Sequence, residues 1–192
     1  NLLKDKPIHL IDYHSENRPY IDHKKSTTSK MIWNKKFKPV PGEIYFSEKE
    51  NLESENIINK AISFWYSKNK HKFKSIIFFE PSSTKLDNKQ FGIKQINKAW
   101  SDDNWYKLAN NLKNQYLMIQ STHSHSKIFD GVYAPEKLDF RSACAIMNKS
   151  DIYVGLEGGF VQVAGALKKK AVVYYGGWID PSIIGYDFHE NL

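Results

Sequence analysis

The sequence predicts an α/β fold, a Rossmann-like parallel sheet flanked by helices, from two observations. Helix-like and strand-like segments alternate along the chain, and the strand-like segments are short continuous apolar runs. The clearest example is the stretch 150–177, which has the pattern of a strand, a glycine pair, a helix and a second strand. Continuous apolar strands are covered on both faces of a sheet, so this stretch predicts a parallel βαβ unit.

The remaining elements follow from local signals. Ser47 and Glu50 have the spacing of a capping box, which predicts a helix ending near Asn69. Ser101 caps a further helix with an apolar face. The predicted strands are 75–79, 116–119, 151–155 and 171–175, and the other predicted helices are 137–148 and 160–167. The predicted order is therefore a helix followed by a strand, repeated four times. This order predicts a single Rossmann-like domain.

The chain divides into two predicted parts. Residues 1–46 contain four prolines, a polar tract and scattered aromatics, and we expect an irregular extension or interdomain segment there. Residues 47–192 form the Rossmann-like domain. A length of 192 residues suits one core rather than two full domains.

The charge of the chain indicates an anionic partner. The net charge is +7 and the isoelectric point is near 9.2, which fits a nucleotide, a nucleic acid or an acidic membrane surface. The lysines are distributed over several loops rather than gathered on one helix, and lysine with abundant asparagine also suits an AT-rich genome. Charge alone does not choose among these partners.

Localisation signals are few. Cys144 is the single cysteine, so an intrachain disulfide and a cysteine-based zinc site are excluded, and a reducing compartment is expected. The sequence has no apolar stretch of transmembrane length and no signal-peptide core at its start. We expect a cytoplasmic protein, with peripheral contact at the inner membrane face, and the missing initiator methionine indicates a fragment.

Polar residues follow each predicted strand. They are Ser82, Ser83 and Thr84 after the first strand, Ser124 and His125 after the second, Glu157, Gly158 and Gly159 after the third, and Gly176 and Gly177 after the fourth. In an open parallel sheet these loops share the carboxyl edge, so we expect these residues to converge on one ligand site.

Several familiar sites are excluded by their motifs. The sequence has no G-x-G-x-x-G fingerprint, no P-loop and no G-x-S-x-G elbow, which argues against a dinucleotide-dependent dehydrogenase, a P-loop NTPase and a serine hydrolase. His123 and His125 alternate along an extended segment and lack a carboxylate partner at metal-site spacing, so we interpret them as loop histidines. We predict no metal and no cofactor.

Two of the candidate residues have plain structural explanations as well. Gly158 and Gly159 suit a tight turn between a strand and a helix, and a helix N-terminus there also presents N–H groups to a phosphate. Lys98, just before the helix capped by Ser101, suits either a solvated loop or a point-charge contact to a phosphate.

Taken together, these segments resemble the heptosyltransferase-like glycosyltransferases, glycosyltransferase family nine, whose GT-B fold has two Rossmann domains. The similarity is to the C-terminal, donor-binding half and spans about residues 75–185. The segments that resemble family motifs are Glu80-Pro81-Ser82-Ser83, Lys98-Ala-Trp100 with the following Trp105 and Leu108, Glu157-Gly158-Gly159-Phe-Val-Gln162, and Gly176-Gly177-Trp-Ile-Asp180-Pro181.

The resemblance implies roles for individual residues. Ser82, Ser83 and Lys98 would contact the diphosphate of a nucleotide sugar, Glu157 the sugar, and Gly158 with Gly159 would present backbone donors. The same site would include Thr84, Ser124, His125 and Gln162, the last standing where the family has a histidine. Glu157 replaces the family's aspartate, which favours a donor other than ADP-heptose.

The implied function is transfer of a sugar from a nucleoside-diphosphate sugar to a glycan or lipopolysaccharide-type acceptor, with inversion at the anomeric carbon. The family's catalytic base belongs to its N-terminal domain, so the catalytic residue here is unknown and the chain is expected to be the donor-binding half. Two alternatives stay open: a nucleotide-binding module without catalysis, and a basic nucleic-acid-binding α/β protein, which the loop distribution of the lysines disfavours.

Overall fold

The computed structural model describes residues 19–22, 24–26, 30, 32–81, 98–122, 126–136, 138–177 and 179–192. Five of the candidate site residues lie outside these ranges, namely Ser82, Ser83, Thr84, Ser124 and His125.

The core of the protein is a five-stranded sheet, as the continuous apolar strands predict. In chain order its strands are β1 (Ile76–Glu80), β2 (Leu117–Gln120), β3 (Ile152–Leu156), β4 (Lys170–Tyr174) and β5 (Glu190–Asn191). The spatial order is β2-β1-β3-β4-β5, and each neighbouring pair is parallel. All carboxyl ends therefore meet at one edge, the carboxyl edge, and all amino ends meet at the opposite edge, the amino edge.

The described part of the chain contains five helices, of which the first precedes the sheet and the others follow a strand. They are α1 (Glu48–Lys68), α2 (Asp102–Leu112), α3 (Phe140–Lys149), α4 (Gly159–Ala166) and α5 (Pro181–Ile184). Side-chain oxygens cap four of them, because Ser47, Ser101, Asp139 and Asp180 each accept a backbone N–H bond at the helix start. Ser47 and Glu50 form the predicted capping box.

The predicted boundaries lie within a few residues of those observed. The largest difference at a helix start is in α3, which begins at Phe140 rather than at residue 137 because Asp139 caps it. The final helix α5 and strand β5 were not predicted. Strand β5 has only two residues, both polar, and it exists through its pairing with Val172 and Val173 rather than through its own pattern.

Helices cover the two faces of the sheet unequally. On one face α1, α3 and α4 bury a large cluster around Phe78 and Tyr153. On the other face α2 packs against Phe79 through Trp105, which is 2% exposed. Among the described helices, none combines the length and the apolar character that crossing a membrane requires.

The described residues of the segment 19–46 are irregular but pack onto the domain. Its Tyr20, Trp33, Ile44 and Phe46 are partly buried against the larger cluster. An isolated antiparallel bridge between Ile21 and Trp33 closes the segment on itself. These contacts bring the segment close to the carboxyl edge of the sheet.

Candidate functional site

A cavity of about 480 Å³ opens at the carboxyl edge, between the end of β3, the start of α4 and the segment 19–46. Its wall includes Lys98, Glu157, Gly158, Gly159 and Gln162, which are the site residues predicted from the sequence that the structure describes. Residues from distant parts of the chain therefore meet here, as the parallel topology requires. The other lining residues are Pro19, Tyr20, Phe37, Pro39, Val161, Tyr175, Ile179 and Ile184.

The charged centre of the cavity is an ion pair that the sequence did not predict. Lys98 Nζ lies 3.2 Å from Glu157 Oε1, and the two side chains are 23% and 3% exposed. A buried carboxylate with such a partner keeps its charge more readily than an isolated one. The positive charge of Lys98 is thus placed at the cavity wall and is directed partly at Glu157.

The Glu157 carboxylate is nevertheless only partly compensated. Within the described residues, its Oε2 accepts no hydrogen bond. Burial raises the pKa of Glu157, and the nearby Lys98 ammonium offsets part of this rise. Burial, together with the Glu157 charge, also raises the pKa of the neighbouring Tyr175 hydroxyl. A carboxylate in this state favours ligands that donate hydrogen bonds, such as hydroxyl groups.

Helix α4 begins at the cavity without the side-chain cap that the other four helices have. Its N-cap is Gly158, which makes no side-chain hydrogen bond. The first N–H groups of a helix have no partner one turn earlier inside the helix. In α4, Val161 N donates to Gly158 O at 3.2 Å, whereas the N–H groups of Gly159 and Phe160 have no backbone partner among the described residues and can bind a ligand or solvent. A Cβ built at Gly158 would meet no atom within 4 Å, so the space beside this backbone is open. An anion can therefore approach the start of α4 closely.

The position of Gln162 at the cavity is stabilised by a hydrogen bond with Tyr186. The Tyr186 hydroxyl donates a 2.6 Å hydrogen bond to Gln162 Oε1. Tyr186 in turn packs on Gly165, where an added Cβ would lie 2.4 Å from the tyrosine ring. This hydrogen bond occupies Gln162 Oε1, and Gln162 contributes to the lining of the cavity.

Two aromatic side chains, Tyr20 and Phe37, also line the cavity and are called the aromatic wall below. Tyr20 and Phe37 meet edge to face at 6.1 Å between ring centroids. Sequence analysis missed Phe37 and assigned no role to Tyr20, because the segment 19–46 has no regular pattern. The sequence signal was the occurrence of aromatics close to prolines, with Tyr20 directly after Pro19 and Phe37 two residues before Pro39. A flat ring of a ligand packs well against such side chains.

The segment also carries positive charge to this edge. Hydrogen bonds from Ser182 are the largest cause that lowers the pKa of Asp180 at the start of α5, and the Lys35 ammonium lowers it further. Clusters of histidine, cysteine, aspartate or glutamate with metal-site geometry are absent from the described residues. The cavity thus combines one lysine, open helix N–H groups, a part-compensated carboxylate and an aromatic wall.

The similarity of the chain to known proteins is confined to solved structures. No protein-family model and no curated protein sequence matches the chain. Among solved structures, the chain is similar to the E. coli heptosyltransferase WaaC with ADP-2-deoxy-2-fluoro heptose, at 15% identity and a TM-score of 0.48, over 69% of this chain and 40% of WaaC.

Two structures of the iron-containing dodecameric protein TibC are also similar. One is a heptosyltransferase complex with ADP-D-beta-D-heptose, at 13% identity and a TM-score of 0.42, and the other is a glycosyltransferase from enterotoxigenic E. coli, at 14% identity and a TM-score of 0.42. Each match covers 64% of this chain and 32% of TibC. The chain therefore spans well under half the length of these structures, and the likeness concerns the α/β fold.

Proposed function

We propose that the chain is the donor-binding half of a sugar-nucleotide-dependent glycosyltransferase, with the cavity as the site of a nucleoside-diphosphate sugar. The observation that carries this proposal is the Lys98–Glu157 pair beside the uncapped start of α4. The pair offers a cation and a part-compensated carboxylate side by side, and a nucleotide sugar offers a diphosphate and hydroxyl groups side by side.

The diphosphate would lie at the start of α4. Backbone N–H groups there, together with the Lys98 ammonium, provide the donors that a diphosphate prefers. The open space at Gly158 supports a close approach of the ligand to the backbone. When the sugar is transferred, negative charge grows on the departing nucleoside diphosphate, and the same groups would stabilise it.

The sugar would lie against Glu157. Its hydroxyl groups would donate to the carboxylate oxygens, and Oε2 has no other partner among the described residues. The aromatic wall of Tyr20 and Phe37 is suited to pack against a ring of the donor. The reaction would transfer this sugar to a glycan or lipid-linked acceptor with inversion, and the residue that acts as base is not assigned.

Calorimetry with matched ligands tests this assignment. ADP, GDP, UDP and CDP, and a sugar nucleotide of each, are titrated into the chain and into Glu157→Gln. In the variant, we expect the free diphosphate to bind as well as before or slightly better, because a negative charge is removed. The sugar nucleotide should lose about 1 kcal/mol or more of binding free energy, since its hydroxyls lose a charged acceptor.

The control is Glu55→Gln, which removes one charge from an exposed position of α1 and should alter neither affinity. If Glu157→Gln changes the affinities for the free diphosphate and for the sugar nucleotide equally, Glu157 has only a structural role in the turn, and its proposed contact with the donor sugar is excluded. Binding of the nucleotides without any preference for their sugar forms would favour the non-catalytic nucleotide-binding module.

A further inference from the structure

We propose that the amino edge of the sheet, opposite the cavity, is a docking surface for an anionic lipid membrane. The basis is a group of nine lysines that the parallel topology brings to this edge, referred to below as the lysine edge. They are Lys68, Lys70, Lys72, Lys74, Lys113, Lys149, Lys168, Lys169 and Lys170. The proposal uses none of the cavity residues and does not depend on the donor-binding assignment.

The lysines are far apart in sequence, but the structure brings their segments together. Each lies at the end of a helix, in the turn before a strand, or at the first residue of one, and the strands are parallel. Lys74 Nζ donates a 2.6 Å hydrogen bond to Gln115 Oε1, which joins the turns before β1 and β2. Asp151 Oδ2 accepts a 2.8 Å hydrogen bond from Ile76 N, which joins the starts of β1 and β3.

The lysines of this edge outnumber its carboxylates. Among the described residues that precede or begin the strands here, the acidic ones are Asp130, which Lys113 contacts at 2.6 Å, Asp151, whose carboxylate accepts from Ile76 N, Asp187, which Lys38 contacts at 3.6 Å, and Glu190. Lys169 is used inside the fold, because its Nζ donates to the carbonyls of Asn148 and Ser150 at 2.7 Å each. The exposed lysines of this edge with no carboxylate partner among the described residues are Lys68, Lys70, Lys72, Lys74, Lys149, Lys168 and Lys170.

Helix dipoles explain only part of this arrangement. Lys68 and Lys149 lie in the last turns of α1 and α3, where a cation is favourable for the helix itself. Lys70, Lys72 and Lys170 lie outside the helices and gain little from a dipole. The excess charge therefore points to an external anionic partner rather than to helix stability.

The chemistry of the lysine edge favours a membrane over a nucleic acid. The described arginine, Arg141, lies at the start of α3, at the other edge, so the forked donors that recognise individual phosphates are missing from these described segments. Phe188 is 51% exposed and lies in the turn that precedes β5, the parallel neighbour of β4. Exposed aromatics beside lysines suit the headgroup boundary of an anionic bilayer.

Sedimentation with lipid vesicles tests the proposal on the full chain. We expect binding to phosphatidylcholine vesicles that contain phosphatidylglycerol, no binding to phosphatidylcholine alone, and a loss of binding as salt is raised. The triple variant Lys70→Gln, Lys72→Gln, Lys170→Gln should weaken binding by about 10- to 100-fold. These side chains are exposed, so the thermal midpoint should stay close to that of the parent chain.

The matched control is Lys49→Gln, Lys60→Gln, Lys107→Gln, which removes the same charge from exposed positions on α1 and α2. It should bind vesicles almost as well as the parent chain. Equal losses in both triple variants, or no binding to the anionic vesicles, would overturn the proposal. Tighter binding to a duplex oligonucleotide than to vesicles at the same salt would also overturn it, and would assign the edge to nucleic acid.

Discussion

The two edges of the sheet carry charge in different ways. At the carboxyl edge, Lys98 and Glu157 are 23% and 3% exposed and form an ion pair in the wall of a cavity. At the amino edge, lysines such as Lys70 and Lys72 are exposed and have the same sign. A buried charge that is only partly compensated by its partner favours a ligand whose groups fit its geometry. Exposed charges of the same sign instead produce a combined electrostatic potential that attracts anions with little selectivity.

The helices reinforce this difference. The first turns of α1 and α2, at the carboxyl edge, contain Glu48, Glu50, Asp102 and Asp103. These carboxylates favour the helix starts but oppose an anionic ligand. Helix α4 has no acidic residue in its first turn and no side-chain cap. The N-terminus of α4 is therefore better suited to a diphosphate than the N-termini of α1 and α2.

The largest expected effect of a single substitution is at Lys98. Removing it in Lys98→Ala leaves the Glu157 carboxylate buried without its partner, so the free energy of unfolding should fall by about 1–3 kcal/mol. Binding of the proposed diphosphate should weaken by a similar amount. Urea denaturation and calorimetry with ADP measure the two effects.

A double variant separates the two roles of Lys98. Lys98→Ala with Glu157→Gln removes both charges, so it should recover most of the lost stability but not the affinity for ADP. If the double variant recovers both the stability and the ADP affinity, Lys98 serves only to neutralise Glu157. If Lys98→Ala alone leaves the ADP affinity unchanged, Lys98 has a structural role only.

Gly158→Ala should reduce ligand binding without reducing stability. The added Cβ meets no protein atom within 4 Å, so the free energy of unfolding should change by less than about 0.5 kcal/mol. A diphosphate close to this backbone would meet the methyl group and lose about 1 kcal/mol or more. Gly165→Ala is the contrasting variant, because its Cβ would lie 2.4 Å from the Tyr186 ring and should destabilise the fold. Unaltered ADP binding by Gly158→Ala would place the ligand elsewhere.

Glu157→Gln should alter how stability depends on pH, by less than the Lys98 effect. Burial raises the pKa of Glu157 in the folded state, so its contribution to stability is present at low pH and is lost as pH rises through that raised pKa. Glu157→Gln does not titrate, so the variant does not lose this stability as pH rises. Its stability relative to the parent chain should therefore increase from acidic to neutral pH in denaturation curves, and a constant difference would contradict the burial of an ionised group.

The smallest effects are expected for single substitutions at the lysine edge. Lys72→Gln should alter the free energy of unfolding by less than about 0.5 kcal/mol and leave ADP affinity unchanged. Vesicle binding should fall by about 1 kcal/mol, the usual contribution of one lysine near an anionic surface. A loss of ADP affinity in this variant would break the distinction between the two edges.

Sequence reasoning succeeded where signals are local. The caps at Ser47 and Ser101 and the apolar runs fixed the main helices, the strands and the parallel sheet. From the parallel order alone, Lys98 and Glu157 could be expected at one edge.

The remaining features depend on contacts that no local pattern encodes. The direct pairing of Lys98 with Glu157 is a distance between two loops. Strand β5 exists only through pairing with β4. The aromatic wall of Tyr20 and Phe37 comes from an irregular segment, whose position is set by its packing on the domain. The lysine edge likewise emerges only once the strand order is known.

The most direct test of the account is an ADP titration followed by backbone amide NMR, since both edges are observed in one experiment. The account predicts that the largest shifts occur at Lys98, Gly158, Gly159 and Phe160, and that the amides of residues 68–74 and 168–170 move little. Shifts confined to the lysine edge, or none at saturating ADP, would contradict the placement of the donor site at the carboxyl edge.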